Sequence, residues 1–97
     1  MCQLDKLRSL RGEIYEIARK HKAARVYVFG SCARKEETPD SDVDFVAEFK
    51  PHSSLFDLGG LQYDLQKLLG RRVDLITEDS LTEDAFAANV RKDMVLI

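Results

Sequence analysis

The chain has 97 residues, 44% hydrophobic and 33% charged, with 17 acidic residues against 15 Lys and Arg and a formal net charge of −2. That length suits one domain, residues 1–97, with a modest core; no apolar run approaches the roughly 18 residues of a membrane span, and scattered basic residues on a slightly acidic chain argue against a nucleic-acid backbone as the main partner. The first ten residues, MCQLDKLRSL, lack the apolar centre of a secretory signal, and Cys2 and Cys32 make neither a metal-ligand spacing nor a disulfide scaffold, so a reducing cytoplasm is expected.

Leu4, Leu7, Leu10, Ile14 and Ile17 recur at spacings of three and four, which predicts one amphipathic helix from Leu4 to about Lys20. His21 then falls where a cation suits a helix C-terminus. Ala24 to Phe29 is a continuous apolar run and reads as a central strand. Gly30–Ser31 ends it, and Cys32 to Glu37 reads as a short helix, with Cys32 either a thiol acidified at a helix start or a small packed residue. Thr38–Pro39–Asp40 makes a turn, with Ser41 as structural support. Asp42 to Phe49 is the second strand, Val43 and Phe45 pointing away from its two carboxylates. Lys50 to Ser53 is a polar loop with His52 exposed. Ser54 with Asp57 forms a capping box; Leu58, Leu61, Leu65 and Leu68 continue a helical stripe, and Gly70 stops it. Gly59–Gly60 inside that helix costs about 1 kcal/mol per glycine relative to alanine and implies a close approach, to the sheet in preference to another chain. Arg72 to Thr77 is a third strand. Ser80 with Glu83 predicts another capping box and a helix running to about Lys92, and the apolar tail from Asp93 to Ile97 docks on the domain or on a partner. The fold class is therefore α/β (α+β): a small mixed sheet of three to four strands with helices packed on it.

The chemistry concentrates between Val26 and Val46. Asp42 and Asp44, two apart on a strand, face the same side about 7 Å apart. Unpaired carboxylates are costly in such a setting, and a hard, oxygen-seeking cation such as magnesium would relieve their repulsion. Gly30 and Ser31 sit where a strand gives way to a helix, whose free N–H groups and dipole favour phosphate. Together these features describe a nucleoside triphosphate site. Arg34 is either a further phosphate contact or part of a solvated helix face. Asp74 is either an edge-strand carboxylate meeting water or Arg71 or Arg72, or a third acid joining the first two.

Gly30–Ser31, ten intervening residues and Asp42–Val43–Asp44 have the Gly-Ser-x10-Asp-x-Asp spacing of the polymerase-β-like nucleotidyltransferases. The fuller strings GSCAR and TPDSDVDFVAEF resemble the minimal nucleotidyltransferases, the MNT antitoxins of HEPN/MNT toxin–antitoxin pairs, over about Val26 to Asp74. Lys35 stands where many members have glycine. The resemblance implies a polymerase-β-like core with catalytic and metal-binding Asp42, Asp44 and Asp74, and nucleotide contacts from Gly30, Ser31 and Arg34. It also implies Mg2+ as cofactor, ATP as substrate, and transfer of AMP to a tyrosine hydroxyl of a HEPN RNase toxin held in a hetero-oligomer. The alternatives are an antitoxin that acts by binding alone, and nucleotidyl transfer to a small molecule or RNA.

Overall fold

In the computed structural model, residues 3–33, 42–81 and 84–97 are described. The order is α1 (Gln3–Ser9), α2 (Arg11–Lys20), β1 (Ala23–Phe29), α3 (Gly30–Ala33), β2 (Val43–Phe49), α4 (Leu55–Leu69), β3 (Val73–Thr77), α5 (Ala85–Asp93) and β4 (Val95–Leu96), with a 3-10 turn at Glu78–Ser80. The four strands form one mixed sheet in the order β3-β2-β1-β4. β1 runs antiparallel to both β2 and β4, while β2 and β3 are parallel. The parallel pair needs a crossover, and α4 supplies it. β1 and β2 are the interior strands, β1 as its continuous apolar run predicts.

Strand alternation sorts the side chains onto two unlike faces. Val26 and Val28 of β1, Val43, Phe45 and Ala47 of β2, and Val73 and Leu75 of β3 pack with Leu4, Leu7, Ile14, Leu61, Leu65 and Leu69 from α1, α2 and α4. Each such large side chain withdrawn from water contributes roughly 1.5–3 kcal/mol. The other face carries a thinner cluster, Phe29, Val46 and Leu81 under Ala87 and Val90 of α5. Asp44 and Asp74 alternate onto this second face.

Three expectations change in the structure. The predicted helix from Leu4 to Lys20 is two helices, because Ser9 Oγ donates 2.7 Å to the Lys6 carbonyl and the chain kinks at Leu10, whose N–H is shared between the Lys6 and Leu7 carbonyls. The helix expected from Ser80 begins instead at Ala85 with Asp84 as its cap, the Asp84 carboxylate accepting 2.8 Å from the Ala87 N–H. Ser80 sits in the 3-10 turn with its hydroxyl on the Thr77 carbonyl, while Glu83 lies outside the described residues. The close approach at Gly59–Gly60 is not to the sheet. A Cβ on Gly60 would stand 2.5 Å from Cε1 of His21, whereas Gly59 faces open space. His21, at the end of α2, has its Nε2 2.7 Å from Oδ2 of Asp64 on α4.

Other expectations hold. The Ser54 N–H donates 2.9 Å to Asp57 Oδ2 at the start of α4, and Gly70 closes that helix in the left-handed region at φ 64°. The C-terminal tail docks on the domain itself. β4 pairs with β1, the Ile97 N–H bonds the Val26 carbonyl, and Ile97 is buried.

Candidate active site

The end of β1 sets the site. Phe29, the last residue of that strand, lies opposite Asp44 in the antiparallel register, so the next residue turns over that carboxylate. Gly30 does so at φ +73°, and a Cβ there would lie 2.6 Å from Asp44 Oδ2. Only glycine meets both conditions, a left-handed backbone and no side chain between the turn and the acid. α3 begins at the same residue.

On its other side Asp44 registers directly with Asp74 of β3. Parallel neighbours lie about 4.8 Å apart and project to the same face, which sets these two residues side by side on it. Asp44 is half-buried and Asp74 exposed. β3 is the sheet edge, so Asp74 meets water there while registering with Asp44 of the neighbouring strand. Asp42 immediately precedes β2, and its Oδ1 lies 3.8 Å from Arg72 Nε. The arginine next to β3 therefore pairs with Asp42 and leaves Asp74 open. Among the described residues no three His, Cys, Asp or Glu side chains are gathered tightly enough to hold an ion. The Ser31 side chain and Arg34 lie outside the described residues, as do the turn at 38–40 and Lys35.

A family described as nucleotidyltransferase domain matches residues 10–97. The chain belongs to that family. The nucleotidyltransferase domain seen here is 34% identical over 98 residues to the protein adenylyltransferase MntA of Thermococcus cleftensis, covering 100% of this chain and 98% of that one. A solved structure of a candidate minimal nucleotidyltransferase is 35% identical and superposes with a TM-score of 0.83, covering 97% of this chain and 95% of that one. A complex of tri-AMPylated Shewanella oneidensis HEPN toxin with MNT antitoxin contains a chain of the same fold, at 20% identity and a TM-score of 0.64, covering 99% of this chain and 71% of that one. Family members generally use ATP and a divalent metal ion.

The nucleotidyltransferase domain has the donor chemistry for such an ion. Its acids are carboxylates, the oxygen ligands a hard divalent cation takes, and the missing side chain at Gly30 lets the Asp44 carboxylate close on the strand-to-helix turn. A cleft of about 150 Å³ adjoins the same turn, lined by Phe29 and Gly30 on one side and by Phe86, Asn89 and Asp93 of α5 on the other. Sequence reasoning gave α5 no place at the site. Phe86 and Asn89 belong to no motif, and only the return of α5 across the second face brings them to Gly30. No helix among the described residues is long and apolar enough to cross a membrane.

Proposed function

We propose that this nucleotidyltransferase transfers AMP from ATP to a hydroxyl, a tyrosine in the first instance, on a HEPN-type toxin partner, and so silences it. One observation carries the reading. Asp44 and Asp74 stand in register on adjoining strands, and the bare backbone of Gly30 lies against Asp44. That juxtaposition places acids beside a strand-to-helix turn suited to phosphate. The names of the relatives, a protein adenylyltransferase and an MNT antitoxin held with an AMPylated toxin, support the acceptor class.

In this reading Gly30, Ser31 and Arg34 hold the phosphate chain, and Asp42, Asp44 and Asp74 hold Mg2+. The metal, when bound, neutralises phosphate charge and steadies the leaving pyrophosphate. The acceptor hydroxyl oxygen forms a bond to the α-phosphorus, the bond from α-phosphorus to the bridging oxygen breaks, and pyrophosphate departs. The hydroxyl proton passes to the Asp74 carboxylate, the most open of the three acids and on the strand edge where a bulky acceptor can approach.

The test is intact mass spectrometry of a HEPN partner incubated with this protein, ATP and Mg2+. The partner should gain mass in AMP units, and Asp44→Asn should abolish the gain while leaving the fold and the complex intact. Neutralisation by Asp44→Asn as complete as by the native protein, with no mass gain in either case, would show inhibition by binding alone.

A further inference from the structure

A second feature lies at the other end of β2. Lys50, just past that strand, is six residues from Asp44, or about 20 Å at the rise of an extended chain. It closes one end of a cleft of about 460 Å³ that runs along α2, lined by Arg11, Gly12, Tyr15 and Arg19 and by the start of β1. Arg11, Tyr15 and Arg19 fall at i, i+4 and i+8, one face of a helix. Gly12 has no atom within 4 Å of where a Cβ would be, so the cleft is open there.

The charge balance of this cleft differs from that of its surroundings. Among the described residues no carboxylate lines it. Among the described residues, none of Arg11, Arg19 and Lys50 joins an ion pair, although Lys22 and Arg25 close by pair with Asp57 and Glu48. The chain has more acids than bases, so this grouping does not follow from a shortage of partners. The Arg11 guanidinium lies 5.3 Å from the centroid of the Tyr15 ring, and the Tyr15 hydroxyl accepts a bond of 3.4 Å from the Val26 N–H. One fork is thereby stacked on a ring that is tied to β1. Cations of one sign converging on a concave surface focus a positive potential there.

We infer that this cleft binds the phosphate chain of a small polyphosphate ligand, a nucleoside polyphosphate or free pyrophosphate, at a site separate from the carboxylate centre. The volume falls in the range of small-molecule pockets, about 300–1,000 Å³. A single carboxylate would balance only one of the three cations, whereas a polyphosphate carries several charges within a short span, and arginine forks match phosphate oxygens bidentately. The near-neutral chain as a whole suits a compact anion better than a long nucleic-acid backbone.

The experiment is a titration of the isotopically labelled protein followed by amide chemical shifts, with EDTA present so that no divalent ion serves the carboxylates. Pyrophosphate and ADP are added in separate arms. Amides of Gly12, Tyr15, Ala24 and Lys50 should move, with Gly30 unmoved. The pair of charge reversals Arg19→Glu and Lys50→Glu, both at exposed positions, should weaken binding about tenfold or more, since each removes a charge-assisted contact; Arg19→Ala with Lys50→Ala serves if the reversals disturb the fold. Equal affinity in the two arms assigns the cleft to the phosphate chain alone, and tighter ADP binding assigns it to nucleotides. Shifts confined to Gly30, or binding unchanged by the substitutions, overturn the inference. So does a single-stranded RNA that occupies the cleft more tightly than either small anion.

Discussion

Gly59 and Gly60 are adjacent on one helix and should respond oppositely to the same substitution. In a helix interior alanine is favoured over glycine by about 1 kcal/mol. At Gly59 nothing opposes that gain, because a Cβ would meet no atom within 4 Å. At Gly60 the Cβ would stand 2.5 Å from Cε1 and 2.7 Å from Nδ1 of His21, and that ring is not free to swing away while its Nε2 is held 2.7 Å from Asp64. Displacing it breaks a bond whose charged character makes it worth about 1.5–3 kcal/mol when buried. Partial exposure of both partners brings this nearer 1–2 kcal/mol. Gly60→Ala should therefore lose up to about 1 kcal/mol net and Gly59→Ala gain about 1 kcal/mol, a spread of about 1–2 kcal/mol. For a domain of this size each kcal/mol moves the melting temperature by roughly 4–8 °C. Thermal unfolding of the two variants measures the spread, and a third arm isolates its cause. With His21→Ala in place, Gly60→Ala should become stabilising. If Gly59→Ala and Gly60→Ala shift the melting temperature equally and in the same direction, or if His21→Ala leaves the sign at Gly60 unchanged, the steric account is refuted.

Gly30→Ala should destabilise the fold by about 1–2 kcal/mol through its left-handed backbone, and should cut AMP transfer roughly tenfold to a hundredfold by pushing Asp44 aside; parallel urea melts and mass-spectrometric assays separate the two effects. Asp74→Asn should lower the rate of transfer with ATP affinity largely kept, which single-turnover kinetics can read, since the proposed loss is of a proton acceptor. Magnesium affinity, followed by calorimetry, should fall as the pH is lowered, because protons compete for the same carboxylate oxygens. The bond to His21, reinforced by Lys20, holds the Asp64 carboxyl below the usual carboxylate range. A depressed folded-state value contributes stability that is present above the unfolded value, about 3.9, and is lost as the pH falls through the folded one. Asp64→Asn should accordingly cost up to about 1 kcal/mol at pH 7, with native and variant stabilities converging in strong acid.

What could be read from the chain divides along the range of the interactions involved. The strands β1, β2 and β3 announce themselves through short apolar runs, and Gly70 and Ser54 through local backbone chemistry, because each signal lies within a few residues of its effect. Asp42 and Asp44 stand out for the same reason, being charges set in an apolar run. The break at Leu10 is hidden, since the hydrophobic stripe continues straight through it while a single serine hydroxyl shares the Lys6 carbonyl with the backbone. The meeting of His21 with Gly60 is hidden differently: they lie 39 positions apart in sequence, and a pair of glycines does not say what comes close. The registration of Asp44 with Asp74 depends on which strands lie side by side, and α5 enters the site only through its packing on Val46 and Phe29. Arg34 and Ser31 keep the roles that the resemblance gives them as proposals.

The outer rim of β3 carries a further consequence. Gln62 and Gln66, one turn apart on α4, reach the Val73 backbone from the side, Gln62 Nε2 donating to its carbonyl at 2.9 Å and Gln66 Oε1 accepting from its N–H at 3.1 Å. Two side-chain amides thus stand in for the neighbouring strand that a sheet margin lacks. Val73 directly precedes Asp74, so the lateral position of that acid is fixed from a helix that carries none of the proposed nucleotide contacts. Under the proposed function, changes to either glutamine would then loosen chemistry without touching a reacting group, and this border is shielded from joining a foreign strand beside the acid proposed to receive the proton.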